Sequence, residues 1–223
     1  MSILNGILIQ PRVGGDTACI EALRGLPTSV IGDVMGGRLI GTTALRPINR
    51  SLVSTCGTAF TVRVRAGDNL LIHKALDMLE AGDVLVVDGE GDTSRALVGE
   101  IMMTSAKVRG AVAFVMDGAI RDADAFEANQ FPCWARGLSL RGPYKDGPGS
   151  INVPVTIGGM LVHPGDIIVG DGDGIIAVPS HLAEQVATLA HAKVAHEQET
   201  IASILDGTYS SAWVDAALQQ KDI

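Results

Sequence analysis

The chain has 223 residues, 47% hydrophobic and 19% charged, so it can bury a large core and is not a disordered segment. A net charge of −8 without a basic stripe excludes the usual electrostatics of a nucleic-acid binder. Aromatics make up only 4% and glycines number 27, a balance that favours short strands and tight turns over an aromatic binding surface.

Cys19, Cys56 and Cys133 are odd in number and share no metal-ligand spacing, which reads as reduced thiols in a cytoplasmic protein. The start, Met1 to Gly6, lacks the basic and apolar regions of a signal peptide, and no apolar run approaches membrane-spanning length. The expectation is a soluble protein without a membrane or nucleic-acid partner.

In chain order, residues 16–26 predict a first helix, with Asp16 or Thr17 as cap and Ile20, Leu23 and Leu26 on one face. Pro27-Thr28 opens a second short helix ending near Gly36-Gly37. Residues 53–64 read as a strand. Asp68-Asn69 caps a third helix with Leu70, Leu71, Ala75, Leu76 and Leu79 as its apolar stripe. Gly82-Asp83 leads into the strand 84–87. A helix at 98–108, stopped by Gly110, precedes a strand at 111–116, a short helix from Ala123 to Asn129, and a strand at 131–135. From 151 to 179 the pattern is only strands and turns. A long helix at 181–206 ends at Gly207, and a tail runs to Ile223. The β-only stretch argues against a doubly wound sheet and for a mixed β/β/α architecture in one domain, 1–223, with 181–223 as C-terminal helix and tail.

The chemistry concentrates between Gly99 and Asp122. A helix starting at Gly99 leaves the first amides of Gly99, Glu100, Ile101 and Met102 unpaired, with the positive end of the helix dipole behind them. Such a start binds a carboxylate; taken alone, it also reads as an ordinary solvent-facing helix end. Arg121 supplies a carboxylate-matching fork and Asp122 a hard oxygen ligand, although that pair also reads as a surface ion pair with Asp122 capping the next helix. As one helix–strand unit, the helix runs away from the site and the strand returns to it, so both ends meet at one edge of the fold. His73, in the third helix, could face the site, but it reads by preference as a satisfied core residue. The glycines of 170–174 precede a strand and not a helix, so they read as a β-turn and not as a phosphate loop.

These motifs, with Asp68-Asn69 and Ile72-His73, Ala81-Gly82-Asp83-Val84-Leu85-Val86, Asp117-Gly118-Ala119-Ile120-Arg121-Asp122, Phe131-Pro132, Gly149 to Val155, Pro164-Gly165-Asp166 and Asp171-Gly172-Asp173-Gly174, resemble one family over about residues 25 to 210. It joins the regulator of ribonuclease E activity A proteins to the class II 4-hydroxy-4-methyl-2-oxoglutarate and 4-carboxy-4-hydroxy-2-oxoadipate aldolases. The resemblance implies an α/β, phosphohistidine-swivelling-like β/β/α single domain with flanking helices, assembled as a homotrimer or hexamer with sites between subunits. It implies cleavage of a 4-hydroxy-2-oxo acid to pyruvate and a second oxo acid, with oxaloacetate decarboxylation as a side activity. The backbone of Gly99, Glu100, Ile101 and Met102 would bind the pyruvate carboxylate, Arg121 the substrate and its enolate, and Asp122 a divalent metal, Mg²⁺ or Mn²⁺. An acid from the neighbouring subunit's last helix, Glu197 or, second, Glu199, would orient water.

No Schiff-base lysine stands in the motif, which favours the metal route. The aldolase pattern places an acid at position 125, where this chain has Ala125, with Asp124 one step early. One residue turns a helical side chain by about 100°. That departure keeps open the alternative of a non-catalytic, protein-binding regulator of ribonuclease E type.

Overall fold

The computed structural model describes residues 6–36, 41–51 and 54–221. Met1 to Asn5, Gly37, Val53 and Ile223 lie outside the described residues. From the N-terminus, β1 (Ile7–Ile9) leads to α1 (Thr17–Leu23), where Asp16 accepts from Ala18 N at 2.8 Å and Cys19 N at 3.3 Å, the expected cap. There follow α2 (Thr28–Val34), β2 (Gly41–Thr42), β3 (Arg46–Pro47), β4 (Thr55–Val64), α3 (Leu70–Leu76), β5 (Asp83–Asp88) and β6 (Ala96–Val98). Next come α4 (Glu100–Val108), β7 (Ala113–Ile120), α5 (Ala123–Ala128) and β8 (Cys133–Leu138). The β-only region resolves into β9 (Gly149–Ile151), β10 (Val155–Ile157), β11 (Met160–Val162), β12 (Ile167–Gly170) and β13 (Ile175–Val178). The long α6 (Ala183–Leu205) and α7 (Ala212–Gln219) close the chain.

The main sheet runs β2-β13-β12-β4-β5-β7-β8-β3, with β6 beside β7 and β1-β9 beside β4. Its centre, β4-β5-β7-β8, is parallel, and the intervening segments cross over through α3, α4 and α5. Strand side chains alternate between faces. Leu85 and Val87 therefore join Phe114 and Met116 beneath α3, α4 and α5, together with Leu71, Met103 and Phe126. Val84 and Val86 point the other way, onto Val155, Ile157, Met160 and Val162 of the β10–β11 hairpin. Helices α1, α2 and α6 cover β12 and β13 through Leu23, Ile31 and Val186. The result is the expected mixed β/β/α arrangement.

The sheet is curled. Strands β8 and β12 stand four places apart in the order, yet Trp134 of β8 donates from Nε1 to Asp171 O at 3.0 Å. A Cβ on Gly170 would sit 2.8 Å from its ring.

Besides the short strands β1, β2, β3 and β6, which the sequence reading lacks, two elements differ from it. The strand expected at 111–116 runs on to Ile120. Asp117-Gly118 looks like a turn, but the Asp117 side chain is buried against Arg136 and accepts from Gly158 N at 2.8 Å. Its carbonyl receives Gly89 N and Gly91 N, so tertiary partners hold the stretch extended despite a register shift against β8. The tail is a helix, α7, with no buried residue. No helix among the described residues is long and apolar enough to cross a membrane.

The seam between β4 and β5 depends on Gly57, where a Cβ would overlap Gly82 O and press on Val112 Cγ2 at 2.8 Å. Backbone cannot yield there cheaply. Gly57→Ala is expected to cost about 1–3 kcal/mol, read as a lower urea midpoint at an unchanged slope.

Candidate active site

The register of β6 on β7 builds the site. Val98 pairs with Ile120, and Arg121 N donates to Val98 O at 3.1 Å, so Gly99 stands directly beside Arg121-Asp122. Both strands are parallel, and their carboxyl ends open on one edge, where α/β sheets present ligand sites. Gly99 occupies the N-cap position of α4, as expected. The reason for glycine is space: a Cβ there would overlap Asp122 Oδ2 and lie 3.0 Å from Arg121 Cγ.

Asp122 does not cap α5, the helix it precedes. Its Oδ2 instead accepts from Glu100 N at 3.0 Å, across to the start of α4. Its backbone is left-handed, φ 60° and ψ 40°, a conformation that costs a non-glycine residue free energy and that gathers at functional positions. The carboxylate thus satisfies one amide of α4, while the amides of Ile101 and Met102 keep no acceptor among the described residues. Arg121 Nε lies 3.7 Å from Asp122 Oδ2, with both side chains nearly half exposed, so the pair adds little stability in solvent.

A cleft of about 150 Å³ lies over these groups, lined by Gly99, Ile101, Met102, Arg121 and Asp122. Asn69, His73, Pro143 and Lys145 complete its wall. His73, expected in the core, faces the cleft. It lies on the outer side of α3, whose Ile72 and Ala75 take the buried positions. Lys145 Nζ sits 3.0 Å from His73 Nε2 and 3.2 Å from Asn69 Oδ1. Asn69 Nδ2 in turn donates to Leu97 O at 2.9 Å and contacts Met102 Sδ at 3.4 Å, tying this group to the base of α4. Local sequence could not place Lys145: its partners lie more than 70 residues away. The one signal was that Asn69 and His73 belong to the motif of the resemblance.

Glu197 is not at this cleft within one chain. It lies on α6, which packs against α1 and α2, and pairs with Lys193 at 3.3 Å. Asp124 does not replace the missing acid at 125, because its carboxylate is almost fully exposed and 3.8 Å from Arg50. Ala125 packs on the core cluster around Phe126. Among the described residues no three His, Cys, Asp or Glu side chains gather as metal ligands. Asp122 remains the metal-ligand candidate: it lines the cleft, and its Oδ1 has no protein partner among the described residues. One carboxylate completed by water suits a hard cation such as Mg²⁺.

The class is defined by a β/β/α fold that brings a helix start, a guanidinium and a carboxylate to one sheet edge. The family profile described as RraA-like, Aldolase/RraA, matches residues 28–177, and the chain belongs to that family. A protein of Halalkalibacterium halodurans with the provisional name 4-hydroxy-4-methyl-2-oxoglutarate aldolase is 40% identical over 187 residues, 84% of this chain and 89% of that one. An uncharacterised Pseudomonas syringae protein of known structure is similar at TM-score 0.77 and 26% identity, covering 88% of this chain and 96% of its own. The RNA-processing inhibitor RraA of Thermus thermophilus is similar at TM-score 0.62 and 27% identity, covering 69% and 93%.

His73 has a testable ionisation. Burial, then the adjacent Lys145, holds its pKa below the ordinary histidine value, with Asp77 pulling the other way. The neutral ring can then accept from Lys145 at Nε2. A pKa depressed by folding means a contribution to stability that is present above the ordinary value and lost as pH falls through the lowered one. An NMR titration is expected to place the His73 midpoint below about 6.5, and Lys145→Met is expected to move it upward.

Proposed function

We propose that this protein is a divalent-metal-dependent aldolase that cleaves 4-hydroxy-2-oxo di- or tricarboxylic acids to pyruvate and a second oxo acid. The observation that carries this reading is the convergence of free α4 amides, Arg121 and Asp122 on one cleft, in a chain 40% identical to a relative bearing an aldolase name. The amides of Ile101 and Met102 receive the pyruvate carboxylate, with Gly99 leaving room for its approach. Arg121 faces the oxygen on which enolate charge develops when the C3–C4 bond breaks. Lys145, across the cleft, is a second cation for a distal carboxylate.

Asp122 would hold the metal, Mg²⁺ or Mn²⁺, which when bound supplies positive charge to the keto-acid end. The same stabilisation would support decarboxylation of oxaloacetate. Glu197 of the partner subunit, or Glu199 of the partner subunit, would orient the water that takes the C4 hydroxyl proton. A homotrimer or hexamer fits this reading. Ile101 and Leu140 are exposed at 83% and 97%, and α7 buries nothing in its own chain. The cytoplasm is the proposed compartment.

Ala125 favours a second reading, a non-catalytic regulator that binds a protein, because the position that should be acidic carries a partly buried alanine against the core's edge. The experiment is pyruvate release from 4-hydroxy-4-methyl-2-oxoglutarate and from oxaloacetate, with Mg²⁺ and with chelator. Metal-dependent release is expected. Asp122→Ala is expected to remove the metal-dependent activity. Arg121→Ala is expected to lower turnover by about two to three orders of magnitude and to weaken pyruvate binding. Gly99→Ala should resemble Arg121→Ala in turnover and melt lower than wild type, because its Cβ displaces Asp122 from the Glu100 amide. The cleft also holds Lys145, a lysine the motif did not contain. Release that resists chelator, with borohydride trapping of pyruvate on Lys145, would replace the metal route by a Schiff base. No release from either acid would favour the regulator.

A further inference from the structure

Lys145 reaches the cleft from a segment outside the helices and strands, residues 141–148. A mobile lysine there would be a poor specificity determinant, since ordering a long side chain and its backbone costs free energy on binding. The segment is instead held from both sides of Lys145. On one side, Tyr144 N donates to Gly67 O at 2.8 Å and Tyr144 O accepts from Asn69 N at 3.0 Å, zipping Tyr144 onto Asp68 as a parallel bridge. On the other side, the Asp68 carboxylate takes Asp146 N at 2.7 Å and Gly147 N at 3.0 Å on Oδ2.

Asp68 is fully buried. Its Oδ1 accepts from Leu70 N at 2.9 Å, and Arg65 donates to Oδ2 at 3.1 Å. Burial raises its pKa, but the three amides and Arg65 outweigh that and hold it below the ordinary carboxylate value. From outside, Tyr144 stacks under Arg95 at 4.0 Å, and its hydroxyl accepts from Arg95 at 2.9 Å. Arg95 also donates to Gly142 O at 2.7 Å.

We infer that Asp68 is a positioning residue for substrate selection: through the backbone amides of Asp146 and Gly147 it fixes Lys145 over the cleft, so that the site favours oxo acids with a second carboxylate. It touches no substrate. This rests on the oxo-acid reading above and adds to it the device that selects diacids. Asp68→Asn is nearly isosteric, but it exchanges one acceptor oxygen for a donor. Either the two loop amides or Leu70 N then loses its partner.

The test compares binding of 2-oxoglutarate, a diacid that lacks the 4-hydroxyl needed for cleavage, with binding of pyruvate, both with Mg²⁺ by calorimetry. Wild type is expected to hold the diacid at least tenfold more tightly. Asp68→Asn and Lys145→Gln should each remove most of that preference and leave the pyruvate affinity within twofold. The double variant should be no worse than Lys145→Gln alone, because the one acts through the other. Tyr144→Ala, at a half-exposed position, is the second variant should Asp68→Asn not fold; it is expected to reduce the preference about threefold or more.

Equal losses for pyruvate and diacid, or additive losses in the double variant, would overturn the inference and leave the oxo-acid reading standing. The same holds if the folded Asp68→Asn protein keeps the wild-type preference. A wild type that binds neither acid would overturn both.

Discussion

A single short parallel pair, β6 on β7, sets the geometry of the whole site. It brings the start of α4 beside the end of β7, and the hydrogen bond from Arg121 N to Val98 O fixes how far each strand extends. Once that register is set, a side chain at 99 would collide with Asp122, so glycine is required by space and not by backbone angle. The left-handed backbone at Asp122 is unfavourable by about 1–2 kcal/mol for an L residue. The bond from Glu100 N to its carboxylate returns part of that cost, since charged hydrogen bonds are the stronger kind. The strained residue and the helix start therefore support each other. Asp122 also acts as an internal anion on α4, and the next two amides are the ones left without an acceptor among the described residues.

Charge is distributed locally against the sign of the whole. The chain carries −8, yet the cleft gathers Arg121 and Lys145, with Arg65 and Arg95 behind the loop that delivers the lysine. A narrow cleft concentrates its own field, so net charge says little about which ligands it admits. Two cations lining one cleft match the two charges of a diacid better than the single charge of a monoacid. The neutral His73 lets Lys145 approach to 3.0 Å without repulsion, so its lowered pKa and the lysine's position are one arrangement.

What could be read from sequence divides along range of interaction. The α4 start, the Arg121-Asp122 pair and the caps at Asp16 and Asp68 are local devices, and their residues and spacing are visible in a few positions. The extension of β7 through Asp117-Gly118 was not visible, because Arg136, Gly158 and Gly91 hold a turn-like dipeptide straight from distant parts of the chain. Lys145 was hidden for the same reason: its loop shows no periodicity, and its place depends on Asp68, 77 residues earlier. His73 was misplaced because a helix only seven residues long presents too few apolar positions to define its buried face unambiguously.

Position 125 shows how one residue of helical phase changes the chemical question. On α5, Phe126 points into the aromatic cluster with Phe114 and Phe131, and that anchor fixes the rotation of the helix. Ala125 then falls at the edge of the same cluster, and Asp124 turns outward to Arg50. With Ala125 in place, proton transfer in the proposed reaction would fall to a group outside α5. Within one chain α6 offers none, since Glu197 is paired to Lys193 on the helix that covers α1 and α2. The apolar residues of α7 and of the cleft rim stay uncovered in the single chain.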